Sequence, residues 1–440
     1  MPKINVDAKK IEELLTRGVE NIFPAREFLE EKLKSGKQLR IYLGIDPTGP
    51  SLHLGHAISL MKLRQFQELG HKIIMLIGSF TAMIGDPTDK LAMRKPLTRE
   101  QVLKNCENYK KQASALIKFD GANPAEIKFN GDWLDKLTFK EIIDLASHFT
   151  VQQMLSRDMF RKRMHWKKIC EHCGELILLG QTTVPPVGGV CKKCLHAVAC
   201  DKIEDLISPS PIGLHEFLYP LMQGYDSVAM DVDGEIGGND QTFNMLVGRD
   251  LMKSMKGKEK FVLANKLLTD TTGKKMGKSE GNMITLDDMA EQMFGKVMSW
   301  TDGMIVPGFE LCKLEPAESV GAVEKRLKGG ENPRDLKLEL AEAIVKIYHG
   351  EKEAVSGREN FIKTFSKKET PDEMPDAKVA GMNITDALLV AGLVKSKGEA
   401  RRAIEQGGVK IDGKVIETLE IVVKRGSVIQ KGKRFFVKVV

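Results

Sequence analysis

An α/β fold built on a doubly wound parallel sheet, followed by a helical region and a small basic α+β module, is predicted by three features of this 440-residue sequence. The apolar run Ile41 to Ile45 passes through the turn Asp46-Pro47-Thr48-Gly49-Pro50 into an amphipathic helix that Gly70 ends, and a second apolar run, Ile73 to Ile77, follows. Continuous apolar strands around a helix mark a βαβ unit, with parallel strands covered on both faces. Leu286 to about Ser366 has helical spacing and few strand signals. Finally, Lys378 to Val440 holds 13 Lys or Arg against 6 Asp or Glu, an excess equal to the +7 of the entire chain.

The elements follow in order. Val6 to Lys37 has Ile11, Leu14 and Leu15 at helical spacing and is expected to be helical with an interruption at Pro24. After the βαβ unit, helices are expected from Thr98 to Ile117 and from Thr138 to Met164. His165 to Ser208 changes composition abruptly, with Gly and Pro turns, four cysteines and little periodicity, and is expected to be an insertion. The α/β pattern resumes at Pro211 and runs past Lys275. A linker with Pro371 and Pro375 leads to two short helices, Ile384 to Val394 and Lys397 to Gln406, and to strands Val409 to Ile411, Ile421 to Val423 and Phe435 to Val440. The expected domains are 1–283 with the insertion at 165–208, then 284–370, then 378–440.

With 42% hydrophobic and 29% charged residues the composition is that of a globular protein. No apolar run approaches the ~20 residues that a membrane helix needs, and the polar start lacks a signal-peptide core, so a cytoplasmic protein is expected. The basic carboxyl-terminal module suggests a polyanionic partner such as nucleic acid, against the plainer reading of a solvated basic surface. Cys170, Cys173, Cys191 and Cys194 have the spacing C-x2-C-x17-C-x2-C, which fits a tetrahedral Zn²⁺ site of the zinc-ribbon kind. Disulfides compete with that reading, and a reducing compartment disfavours them.

His53-Leu54-Gly55-His56 places two imidazoles where a strand gives way to a helix, whose first amide N–H groups and dipole favour an anion such as a nucleotide phosphate. A second basic cluster, Lys274-Lys275-Met276-Gly277-Lys278-Ser279, lies far downstream in a Gly-flanked loop. The pair resembles the HIGH and KMSKS signatures of class I aminoacyl-tRNA synthetases. Gly85-Asp86-Pro87-Thr88, Tyr219-Pro220-Leu221-Met222-Gln223-Gly224-Tyr225-Asp226 and Gly237-Gly238-Asn239-Asp240-Gln241 narrow the resemblance to the bacterial-type tyrosyl-tRNA synthetase family.

That resemblance implies a Rossmann-like catalytic domain, ATP as substrate with Mg²⁺, tyrosine, tRNA and a homodimer. Gly44, Asp46, Thr48, His53, His56 and Asp240 would bind the nucleotide, with Thr48 and His53 on the β,γ-phosphates and Lys275 and Lys278 closing over them. Gly277 stands where the family often has Ser. Lys90 and Arg94 would belong to a loop near the pyrophosphate, a solvated turn being the bland alternative. Tyr42 and Asp226 would receive the phenolic hydroxyl, while Asp86, Tyr219 and Gln223 surround the ammonium and Gln241 borders the substrate. Asn332-Pro333-Arg334-Asp335-Leu336-Lys337 resembles the start of the helical anticodon-binding domain. Asp386 to Gly413 resembles a small RNA-binding fold shared with a ribosomal protein, with Lys395, Lys397, Arg401 and Arg402 facing RNA. Two rival readings remain, a tryptophanyl enzyme, which Tyr42 and Asp226 disfavour, and an RNA-binding protein without catalysis, which the intact histidines and lysines disfavour.

Overall fold

Arg40–Ile45 and Lys72–Ile77 (β2 and β3) pair in parallel in the computed structural model, as their uninterrupted apolar character requires. Ahead of them, Val19–Phe23 forms β1. Five more strands follow in chain order: Glu126–Phe129 (β4), then Trp166–Ile169, Leu176–Gly180, Gly188–Val190 and Ala197–Ala199 (β5 to β8). Gly234–Gly238 (β9) and Phe261–Asn265 (β10) complete a six-stranded sheet of order β1-β10-β9-β2-β3-β4. The structure describes residues 3–86, 96–164, 166–169, 176–180, 188–190, 197–199, 211–270, 283–313, 318–366, 374–394, 396–416, 418–432 and 435–440, the strands at 166–199 by backbone alone.

All neighbours in this sheet run parallel except β1, which pairs antiparallel with β10 at the edge. The strand corrects the helical reading of Val6 to Lys37. Asp7 caps helix Ala8–Thr16 with its side chain, and Gly18 at φ +62° leaves the helical region, a conformation that costs glycine nothing. The following Val-Glu-Asn-Ile-Phe then finds the open edge of β10, and tertiary pairing decides what propensity left open. A second helix, Arg26–Lys34, follows. The helical stretches predicted at Thr98 to Ile117 and Thr138 to Met164 are also broken, into Arg99–Cys106 with Tyr109–Ala113, and Phe139–Ser147 with Val151–Leu155 and Asp158–Met164.

In the segment 166–199, β5 pairs antiparallel with β6 and β7 with β8. Just ahead of that segment in the chain, the guanidinium of Arg163, wholly buried, is paired with Glu216 in the first turn of helix Leu214–Met230.

By its internal contacts the chain divides into 1–287 with 306–322, and 288–305 with 323–440. The second unit contains helices Ala290–Met298, Pro333–His349 and Glu351–Ser366, packed on one another. Asn332 caps the longest, with Pro333 at its first position. Beyond them, helices Ile384–Val390 and Lys397–Glu405 accompany a five-stranded sheet of Asp376–Ala377 (β11), Val409–Ile411 (β12), Lys414–Val415 (β13), Val428–Lys431 (β14) and Phe435–Val439 (β15). Its core is aliphatic, with Val379, Ile384, Leu388, Ile404, Val409 and Ile429 each at most 1% exposed. The predicted strand Ile421 to Val423 is instead an isolated bridge, Val422 to Asn383.

Candidate active site

In a parallel sheet, ligands gather outside the carboxyl ends of the strands where the strand order reverses. Here that point lies between β2, which leads outward through β3 to β4, and β9, which leads the other way to β10 and β1. A cavity of about 330 Å³ opens there. Its wall includes Gly44, the exposed position of β2, together with Asp46, Thr48 and the first turn of helix Leu54–Glu68.

His53 is the N-cap of that helix, and its Nδ1 accepts from Gly55 N at 3.1 Å, while His56 Nδ1 accepts from His53 N at 3.2 Å. The rings lie 3.9 Å apart between centroids. A neutral imidazole that accepts at Nδ1 carries its proton on Nε2, so the network assigns both rings an Nε2–H donor. Gly55 is needed for this arrangement, because a Cβ there would lie 2.9 Å from the His53 ring. The turn before the helix is pinned from outside: Asn105 donates to Pro47 O at 2.8 Å, Tyr109 to Gly49 O at 2.6 Å, and Gln112 accepts from Leu52 N at 2.6 Å. Leu54 N donates to Ile284 O and Leu286 N to Leu52 O, so the segment after the predicted KMGKS loop is joined to the HLGH turn. On the other side of that loop, Lys266, Leu267 and Leu268 line the cavity.

Deeper in, polar side chains are buried with their partners. Asp226, 2% exposed, accepts from Trp133 Nε1 at 2.8 Å and from Asn130 Nδ2 at 3.2 Å. Burial raises its carboxyl well above the usual range, against the lowering effect of those two bonds. Tyr42 Oη lies 3.0 Å from Ser227 Oγ, and its hydroxyl is also held protonated, first by burial and then by the charges of Glu235 and Asp226. Asp46 accepts from Thr81 Oγ1 at 2.7 Å and from Tyr219 Oη at 2.8 Å. Gly78 lets it do so, since a Cβ at that position would lie 1.9 Å from Asp46 Oδ1.

At the other wall, Asp86 accepts from Arg157 at 3.0 Å and from Gln241 Nε2 at 2.7 Å. The Arg157 guanidinium stacks over Phe160 and Phe243 at 5.8 and 5.6 Å. Asn244 ties the residues together, donating to Gln223 Oε1 at 3.0 Å and to Gln241 Oε1 at 3.1 Å.

Tyr42, Gly44, Asp46, Thr48, His53, His56, Asp86, Tyr219, Gln223, Asp226, Asp240 and Gln241 all line this one cavity. Lys90, Arg94, Lys275, Lys278, Lys395 and the cysteines Cys170, Cys173, Cys191 and Cys194 lie outside the described residues. In the carboxyl-terminal domain Lys397, Arg401 and Arg402 are exposed, with Lys397 paired to Asp386 at 2.6 Å. Sequence reasoning missed Thr81, Asn130, Trp133, Arg157, Ser227, Glu235, Asn244 and Lys260. Glu235 alone left a trace, a carboxylate inside an otherwise apolar strand pattern. Among the described residues, no group of three or more His, Cys, Asp or Glu is placed to hold a metal, and no helix is long and apolar enough to cross a membrane.

A family model described as tRNA synthetases class I (W and Y) matches residues 34–174 and 194–366, and an S4 domain model matches 386–429. The chain belongs to the class I tRNA synthetase family of the tryptophan and tyrosine type. Within it, the tyrosine–tRNA ligase of Haemophilus ducreyi is 42% identical over 438 residues, 98% of this chain and 99% of its own. The tyrosine–tRNA ligase of Thermotoga maritima is 40% identical over 431 residues, 97% of this chain and 96% of its own. Among solved structures, a C-terminally truncated Aspergillus nidulans mitochondrial tyrosyl-tRNA synthetase is similar with a TM-score of 0.61 at 20% identity, covering 82% of this chain and 95% of that one. Tyrosyl-tRNA synthetase complexed with L-tyrosine, from Archaeoglobus fulgidus, gives 0.55 at 20% identity, covering 80% of this chain and 100% of the other. At those identities the likeness is one of fold.

Proposed function

We propose that this chain joins L-tyrosine to tRNA in two steps. A tyrosine carboxylate oxygen attacks the α-phosphorus of ATP, the bond to pyrophosphate breaks, and tyrosyl-adenylate forms. A ribose hydroxyl of the 3′-terminal adenosine of tRNA then attacks the adenylate carbonyl and AMP leaves. No protein nucleophile is required, so the protein's contribution is positioning and stabilisation of charge on the leaving group. The observation that carries the reading is the buried pair Tyr42 and Asp226 in the wall of the cavity that His53 and His56 also line. A hydroxyl donor and a carboxyl oxygen acceptor suit a phenol, and a ligand without one leaves the hydrogen-bonding capacity they turn to the cavity unmet, which makes phenylalanine a poor substrate. His53 and His56, as Nε2–H donors at a helix start, suit the β,γ-phosphates, joined by Thr48, Lys275 and Lys278 and by Lys90 and Arg94. Gly44, Asp46 and Asp240 serve the nucleoside; Asp86, Tyr219, Gln223 and Gln241 serve the amino-acid end. Mg²⁺ accompanies the ATP. Pyrophosphate exchange with each amino acid in turn tests this, and exchange supported by tryptophan rather than tyrosine would overturn it.

The catalytic domain 1–283, helical domain 284–370 and RNA-binding domain 378–440 divide this work, with Lys395, Lys397, Arg401 and Arg402 on the tRNA backbone. Phe139, Ile143, Val151 and Leu214 are between 55% and 84% exposed, an apolar set that supports a homodimer. The insertion is a structural zinc ribbon: Cys170 and Cys173 fall between the paired strands β5 and β6, Cys191 and Cys194 between β7 and β8. The enzyme works in the cytoplasm, where its tRNA and ATP are.

A further inference from the structure

Lys260 has no part in the chemistry just described, yet it is wholly buried immediately before β10. Its Nζ is ion-paired with Glu235 and donates to Ser227 Oγ at 2.8 Å. The fold makes room for that contact: a Cβ on Gly248, in helix Thr242–Lys256, would lie 2.7 Å from Lys260 Nζ and 2.9 Å from Ser227 Oγ. From this ammonium two hydrogen-bonded arms run to separate residues of the cavity wall. One passes through Ser227 Oγ to Tyr42 Oη, 3.0 Å away. The other passes through Glu235, whose Oε1 accepts from Gln223 Nε2 at 3.1 Å, then from Gln223 through Asn244 and Gln241 to Asp86.

We propose that Lys260, acting through Ser227 and Glu235, is a positioning residue that sets the hydrogen-bond direction at both ends of the tyrosine pocket and so enforces its specificity. The proposal rests on the reading of the cavity as the tyrosine site. An ammonium can only donate. Lys260 takes one acceptor site of Ser227 Oγ and pairs with Glu235, the other acceptor beside the Tyr42 hydroxyl, which favours the arrangement where the Ser227 O–H donates to Tyr42 and the Tyr42 O–H donates into the cavity. A substrate phenol oxygen accepts that proton's bond, and its own O–H goes to Asp226. Without Lys260 that bias is lost, and Tyr42 is free to spend its hydrogen on Ser227 or Glu235 instead of the substrate. The second arm works by the same rule. Glu235 can only accept when ionised, so it holds Gln223 by the amide N–H₂ and leaves the Gln223 carbonyl oxygen as an acceptor, with one lone pair for Asn244 and the second for the substrate ammonium. Tyr42 stays protonated in this environment, as the donor role requires.

Amino-acid-dependent pyrophosphate exchange by the full-length chain, with L-tyrosine and L-phenylalanine at saturating ATP, tests it. Ser227→Ala leaves the Lys260–Glu235 pair in place. It is expected to raise KM for tyrosine about tenfold and to lower the tyrosine-to-phenylalanine ratio of kcat/KM by about the same factor, with KM for ATP unchanged. Ser227→Thr, which keeps the hydroxyl, restores the ratio. Lys260→Met combined with Glu235→Gln removes the ammonium without stranding a buried carboxylate, and with its fold checked by thermal melting it should lose about as much discrimination. A wild-type ratio in Ser227→Ala or in the folded double variant overturns the positioning role while leaving tyrosine activation standing. Wild-type protein that supports no exchange with tyrosine overturns the functional reading and this inference together.

Discussion

In the catalytic unit, Lys260 with Glu235, Arg163 with Glu216 and Arg157 with Asp86 are charged pairs withdrawn from solvent. In the carboxyl-terminal sheet domain, Lys397, Arg401 and Arg402 stand on the surface around an aliphatic core. The two regions use the same residue types in opposite ways. A buried charge is fixed in direction by its partner and transmits that direction to a substrate, but it is costly to leave unpaired. An exposed charge is individually worth little, is screened by salt, and acts on a polyanion by number. Breaking either region should therefore leave a different signature.

The largest effect comes from removing the exposed charges all at once. Deleting residues 374–440 should lower kcat/KM for tRNA charging by on the order of 10³, while tyrosine-dependent pyrophosphate exchange stays within about twofold. Equal loss of both in a folded truncation would erase the distinction between the regions.

Next is the phosphate-facing end of the cavity. His53→Ala removes a preorganised donor along with the N-cap of helix Leu54–Glu68 and should slow adenylate formation by roughly 10²–10³, with much less change in tyrosine binding. Stopped-flow measurement of the first turnover separates the two. An unchanged first-turnover rate would mean that this imidazole does not act on the leaving group.

How much of this was readable beforehand follows the same division. The HLGH turn could be found because its chemistry is local: cap, ring nitrogens and helix start lie within four residues. The carboxyl-terminal charge could be found because composition records it. Lys260 and Ser227 could not. A lysine ahead of an apolar strand looks like a surface residue until Glu235 and Ser227 are brought to it from 25 and 33 positions away. β1 was misread for a related reason, since its strand character comes from β10, which lies more than two hundred residues along the chain. β4, with only Glu-Ile-Lys-Phe, is too short to show a period. The resemblance picked out Tyr42, Asp226, Asp86, Tyr219 and Gln223, which line one cavity, but not their hydrogen-bond partners Asn130, Trp133 and Arg157, because nothing local sets these apart.

A smaller effect should come from the phenol end. Asp226→Ala should reduce the tyrosine-to-phenylalanine ratio of kcat/KM by about 10², and Tyr42→Phe by about tenfold, since each strands a partner of the hydroxyl. A pH signature accompanies the first site. Asp226 has its carboxyl raised above the unfolded value, so its contribution to stability is fully present below that unfolded value and is lost as pH rises through the folded one. Asp226→Asn has no such loss, and its stability relative to wild type should increase with pH even though its discrimination falls. Denaturant melts across the acid-to-neutral range decide this, and a constant difference would mean that Asp226 is not held protonated by its burial.

The smallest effect should come from a single exposed cation. Arg402, exposed on helix Lys397–Glu405, is open to a backbone phosphate. Arg402→Ala should weaken tRNA binding only severalfold at moderate salt. It should also make the slope of log affinity against log salt shallower by roughly one, as expected for the loss of one phosphate contact and its released counterions. Thermal stability should change little, because exposed charges away from special features contribute little to folding. Lys397 sharpens the point: its cation is paired with Asp386, so tRNA must displace a carboxylate to use it, and Lys397→Ala should cost less than Arg402→Ala. Filter binding of tRNA over a salt series measures both slopes. Wild-type slopes in both variants would place the RNA surface on another face of this domain, whereas a steep loss of stability in either would mean that these charges hold the fold together as the buried pairs of the catalytic unit do.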